Sequence, residues 1–241
     1  MPPSTFQPGD LIVTSFDAGN TQDWHIATLD KQSILDHVEV DYWSPLVKVV
    51  ARLPDDTDVP AKTPTPLRAL TAFCPAIYEA VLLSGRPGHT ITRIIINLDN
   101  LGQLEGLIPI IGYVDKYKEI KHADGTIEPM GMITRNAFYN YFRIAEVAQK
   151  LGMRSIVKET TGRIRGMLYK EDSKSWGVAI SDLKLIYTNI SNSQHWIRYH
   201  ISKSFALSAN AGVLRNQQAI EEVLKNEIPD VHAEIKEIAE R

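Results

Sequence analysis

Residues 133 to 170, ITRNAFYNYFRIAEVAQKLGMRSIVKETTGRIRGMLYK, constrain the fold more than any other stretch of this chain. Ala137, Phe138, Tyr141, Ile144, Ala145, Ala148 and Leu151 recur at helical spacing, with Thr134 placed as N-cap and Gly152 as the residue just past the helix end. Such a stripe must be covered by other elements, so it predicts a helix packed on a core. The opposite face carries Asn136, Tyr139, Asn140, Arg143, Glu146 and Lys150, and is expected to be wet.

Beyond Gly152 the pattern is less direct. Ala148, Leu151, Gly152 and Met153 match the small, apolar, glycine and apolar positions around the turn of a helix-turn-helix, but the second helix would then turn Lys158 and Thr161 inward. Ser155 to Thr160 instead alternates and is rich in β-branched residues, which predicts a strand. With Thr161-Gly162 as a two-residue turn, a hairpin results. One of its faces carries Ile156, Lys158, Thr160, Arg163, Arg165 and Met167, and the other Val157, Glu159, Ile164 and Leu168. Lys158 then stands opposite Arg165, a like-charge pair that an anion between them, or a carboxylate such as Glu171 or Asp172, would relieve.

Charge matters here because it is unevenly spread. The net charge is −3, yet residues 141 to 203 hold 11 Lys and Arg against 5 Asp and Glu. Residues 1 to 140 hold 11 against 17, and residues 204 to 241 hold 4 against 7. The middle of the chain is therefore the face for an anionic partner. Nine of the 19 aromatic residues also lie between Phe138 and Tyr199, although several of these are needed for the core. The expected interface is a basic hairpin face formed with Arg143, Lys150, Arg154, Lys158, Arg163 and Arg165, contacting phosphates of RNA or DNA without base-specific readout.

The rest of the chain reads as a mixture of strands and helices. DLIVTSF (10 to 16) and WHIATLD (24 to 30) suggest a long-looped hairpin, VKVVARL (47 to 53) a strand, and DDTDVPAKTPTP a surface loop. A helix runs from Leu67 to about Leu83, interrupted at Pro75. ITRIIINL (91 to 98) and LIPIIGYV (107 to 114) are apolar on both faces and are expected as strands of a central sheet, with Pro109 at an edge or bulge. KEIKHADGTIEP is expected as a hairpin turning at Asp124-Gly125, and WGVAISDLKLIYT (176 to 188) as a continuing meander. Gln194 to Leu207 is helical, and beyond it Ile220, Val223, Leu224 and Ile228, then Val231, Ile235, Ile238 and Ala239, mark two short acidic amphipathic helices around Pro229.

Chemistry-bearing residues are scattered. Asp17, Asp23 and His25 share a turn, and His37-Val38-Glu39 has the spacing of two facial metal ligands but lacks a second histidine. His195 and His200 are about 140° apart on a helix and cannot ligate one metal. His122 is expected in solvent, and the single Cys74, inside an apolar helical pattern, as a buried thiol. The sequence contains no P-loop, no G-x-G-x-x-G, no G-x-S-x-G and no paired cysteines.

The expectation is an α+β domain over residues 1 to 214 with a largely antiparallel sheet, packed helices and a C-terminal helical segment, residues 215 to 241, packed on the core or on another copy. No metal or cofactor is expected, and enzymatic activity is left open. The chain has no long apolar span, and MPPSTFQPGDL lacks the character of a signal peptide, so a cytoplasmic protein without a membrane partner is expected. Two other functions compete with nucleic-acid binding. One is a protein-interaction or self-assembling protein, a homo-oligomer through residues 215 to 241, whose basic middle meets an acidic partner or tail. The other is a hydrolase or lyase using Asp23 and His25, or His195 or His200.

Overall fold

In the computed structural model, which describes residues 7–13, 45–61, 64–116, 137–168, 195–212, 214 and 217–240, two β-branched runs lie side by side as the centre of a sheet. These are β2, Leu46–Arg52, and β5, Arg93–Asn97. β5 runs parallel to β2, with Lys48 level with Arg93 and Arg52 level with Asn97, and parallel to β1, Asp10–Val13, on its other side. The short strands β3, Asp58–Pro60, and β4, Thr65–Pro66, pair antiparallel with β2, and the order is β1-β5-β2-β3.

The α+β class holds, but a largely antiparallel sheet does not: both neighbours of β5 are parallel to it. Parallel strands need a crossover, and here residues 53 to 92 supply one. Their helices are α1, Leu67–Phe73, and α2, Pro75–Ser84. Pro75 takes the first position of α2, where no amide donor is required, and the chain turns by 119° between the two helices, as the interruption at Pro75 predicts. No single helix among the described residues is long and apolar enough to cross a membrane.

One sheet face buries Leu11, Val13, Val47, Val49, Ala51, Ile94 and Ile96 in the main core, with Cys74 among its other members. Burial pushes the Cys74 thiol up to about 12, which leaves it inert. The other face carries ion pairs over the buried Val50 and Ile95. Arg93 forms a two-pronged pair with Asp10 at 2.9 and 2.6 Å, and Arg52 forms another with Asp58 at 2.8 and 3.0 Å. Each pair joins residues level with one another on adjacent strands, so the outer strands β1 and β3 are fastened to the central two.

LIPIIGYV is not a strand. It lies within α3, Gly102–Lys116, and Leu107, Ile110, Ile111 and Val114 are its buried face, while Ile108 is exposed. Gly102 and Gly106, one helical turn apart, bring α3 into close contact with α4, Ala137–Lys150. A Cβ at Gly106 would overlap the Arg143 main-chain carbonyl, and one at Gly102 the Arg143 guanidinium.

The α4 helix stops as its sequence predicts. Gly152 takes a φ of 75°, its N–H donates to the Gln149 carbonyl at 3.1 Å, and the Met153 N–H donates to Ala148 at 2.8 Å. Thr134, assigned as N-cap, lies outside the described residues.

The chain then enters a second helix rather than a hairpin. α5 spans Arg154–Leu168, and Ile156, Thr160, Ile164 and Leu168 form its buried stripe at i+4 intervals. The Thr160 hydroxyl donates to the Ile156 carbonyl at 2.6 Å, so this buried polar group is satisfied within the helix. Gly162 and Gly166 are on the exposed side. The strand pairing expected for residues 155 to 168 is therefore corrected, and with it the hairpin faces.

The chain divides into two compact units. One comprises Met1–Ile133 and Arg143–Thr160; the other comprises Thr134–Phe142 and Thr161–Arg241. The described helices of the latter include α6, His195–Asn210, α7, Gln217–Glu227, and α8, Pro229–Glu240. Val231 and Ile235 of α8 are buried, and its Glu234 accepts a hydrogen bond of 2.6 Å from Arg198 of α6.

Candidate functional site

The six cations proposed from sequence do not share one surface. Arg143 is 1% exposed and forms an ion pair with Glu146, also buried, one turn along α4. The face expected to be wet is thus partly core. Gly102 and Gly106 explain why: with no side chains there, α3 lies close enough to cover the Arg143 side chain. A buried guanidinium with a carboxylate partner is a structural pair, costly to break and out of reach of a polyanion.

Lys150 donates to Asp99 at 2.7 Å. Burial works to raise the Asp99 carboxyl, and hydrogen bonds from Lys150 and Gln103 overcome it, so the group stays below its ordinary value. Arg163 is half-buried on α5 and donates to the Tyr141 hydroxyl at 2.9 Å, its guanidinium 5.3 Å from the centre of the Tyr141 ring. Both cations serve their own units.

Arg154, Lys158 and Arg165 are exposed on α5. At 100° per residue, they fall within about 40° of each other around the helix and are spread over about 16 Å of its length. Lys158 and Arg165, placed opposite one another by the hairpin reading, thus do share a face, but through helical spacing. Arg163 lies about 160° from Arg165 on the same helix.

In the second unit Arg165 is joined by residues of α6 that were not among the six. His200 is half-buried, and its pKa is held below the ordinary value by burial first and then by the charges of Arg165 and Lys203. Tyr199 meets the His200 ring edge-on at 5.7 Å, and the Lys203 ammonium is 5.7 Å from the centre of the Tyr199 ring. Spacing puts Tyr199 and Lys203 one helical turn apart, with Leu207 one turn further on. The result is a cationic cluster with an exposed aromatic ring. The excess of Lys and Arg in residues 141 to 203 was the signal for Lys203, but nothing in the sequence marks Tyr199 above the eight other aromatics nearby.

The charges of Arg165 and Lys203 oppose protonation of the His200 imidazole, and an anion bound beside them would relieve that opposition. That arrangement suits binding of a phosphate or carboxylate. Asp17, Asp23, His25, His37, Glu39 and His122 lie outside the described residues, as does the side chain of His195. Among the described residues, no group of three His, Cys, Asp or Glu side chains could hold a metal. Comparison of the chain with protein-family models, with curated proteins and with solved structures finds no match in any of the three.

Proposed function

We propose that this protein binds nucleic acid, RNA or DNA, through phosphate contacts made by Arg165 of α5 and by the α6 cluster. The observation that carries the reading is the Lys203 ammonium 5.7 Å from the centre of the exposed Tyr199 ring, beside His200, whose proton affinity is lowered by burial and by the charges of Arg165 and Lys203. Arg154 and Lys158, exposed on the earlier turns of α5, belong to the other unit. Contacts of this kind supply affinity in proportion to the counterions they release and carry little sequence information. Arg143, Lys150 and Arg163 are excluded from the proposed interface because the fold already uses them.

The test is binding of a labelled oligonucleotide by fluorescence anisotropy over a range of salt concentrations. Replacing Arg165 and Lys203 together by Gln is expected to reduce the slope of log affinity against log salt by about 1.4 to 1.8, since each lost phosphate contact removes about 0.7 to 0.9. Circular dichroism would establish that the variant folds. Unchanged affinity and slope in a folded variant would reject the reading. The self-assembly alternative draws on the same cations, but the acidic α8 meets Arg198 within one chain.

A further inference from the structure

Resting on the nucleic-acid reading above, we infer that the ligand is single-stranded, with one base stacked on Tyr199 while its neighbouring phosphates lie against Lys203 and Arg165. Most aromatic side chains in the described residues are core: Phe73, Phe138, Tyr139, Tyr141, Phe142 and Phe205 are all buried. Tyr199 is 45% exposed, although an aromatic residue on an amphipathic helix commonly turns inward. The ring meets His200 edge-on and lies beside the Lys203 ammonium, so an exposed apolar ring stands next to positive charge.

A base offers a π-face to such a ring only when it is not already stacked between its neighbours in a duplex. Duplex phosphates could reach Lys203 and Arg165, but a duplex would present no unstacked base to the exposed Tyr199 ring. A single strand satisfies both features. Stacking of the base supplies contact with the ring, and the backbone on either side of that base supplies charge for the cations. Leu207, 53% exposed and two helical turns beyond Tyr199, adds a second apolar contact about 12 Å along the helix, on the far side of Lys203. That length suits contact with a sugar or base further along the strand. Because every base has a π-face, the site is expected to bind strands of many sequences.

The test uses the full chain and three labelled ligands of about 15 units, within the length range of single-strand sites: a thymidine strand, a duplex, and an abasic strand with the same backbone charge. The thymidine strand is expected to bind about tenfold more tightly than the other two. Tyr199→Ala should lose about that factor for the thymidine strand, leave the abasic strand unaffected and keep the salt slope. Tyr199→Phe should retain the affinity, because stacking uses the ring and not the hydroxyl. Equal binding of thymidine and abasic strands, with Tyr199→Ala silent and the salt slope intact, would overturn the stacking inference while the cation reading stands. Tighter binding of the duplex would also overturn it. Absence of binding to all three ligands at low salt would overturn both.

Discussion

The burial of Arg143 against Glu146 depends on two residues that have no side chains of their own. Gly106 and Gly102 stand 37 and 41 positions earlier in the chain, and their bare backbone lets α3 close over the guanidinium. Gly106→Ala tests their role. An alanine is worth about 1 kcal/mol to an exposed helix over glycine, but here its Cβ would meet main-chain atoms of Arg143 that cannot rotate away. Overpacking typically costs about 1 to 3 kcal/mol, and against immobile main chain the upper end applies, so after the propensity gain a net loss of about 2 kcal/mol is expected in denaturant unfolding of the whole chain. Gly102→Ala should cost less, because the atoms in its way belong to a side chain. An unchanged or raised midpoint for Gly106→Ala would mean that α3 and α4 do not approach as closely as described. In sequence Arg143 is one more cation on the polar side of a helix, since the glycines that enclose it lie on a different element.

At the scale of elements, α5 separates what could be read in the sequence from what could not. The stop at Gly152 was legible because a left-handed residue after a periodic helix has a local cause. So were β2, β5, the break at Pro75 and the helices around Pro229, each marked by a β-branched run, a proline or a strong periodicity. The helical state of residues 154 to 168 was not, because Ile156, Val157, Thr160 and Thr161 favour strand locally and two glycines weaken the helix. Burial of one stripe outweighs those preferences. Residues 107 to 114 differ: Leu107, Ile110, Ile111 and Val114 already stand at helical spacing, but Ile108, Pro109 and Tyr113 between them make the run look apolar on both faces. Gly162→Ala distinguishes the two readings of α5. In a hairpin turn the glycine would be needed for its backbone freedom, and alanine would destabilise. In the exposed interior of a helix, with open space around the position, alanine should raise stability by about 0.5 to 1 kcal/mol. A lower midpoint in thermal or urea unfolding would restore the turn.

Across the whole molecule, a net charge of −3 conceals a division that the fold turns to two uses. Some cations hold the structure together, as in the pairs Arg52 with Asp58, Arg93 with Asp10 and Arg198 with Glu234. Arg165 of α5 and Lys203 of α6 are the ones proposed to meet phosphate. His200 connects the proposed function to pH. Burial, then Arg165 and Lys203, keep its pKa below the ordinary value of about 6.5, so it is neutral in the free protein at pH 7. An unfolded chain would take up this proton first, so the folded state loses stability as pH falls below about 6.5. A bound phosphate reverses the balance of charge around the ring, raises the pKa in the complex and couples binding to proton uptake. Affinity for the thymidine strand is therefore expected to rise by about fivefold between about pH 7.5 and about pH 5.5, a range in which Lys and Arg do not titrate. Other histidines contribute to any such rise, and the comparison with His200→Gln isolates this one. The variant should show a flatter pH profile in the same anisotropy titration, with its salt slope near neutral pH unchanged. Superimposable profiles would place the bound phosphates away from His200, and with them the contacts assigned to Arg165 and Lys203.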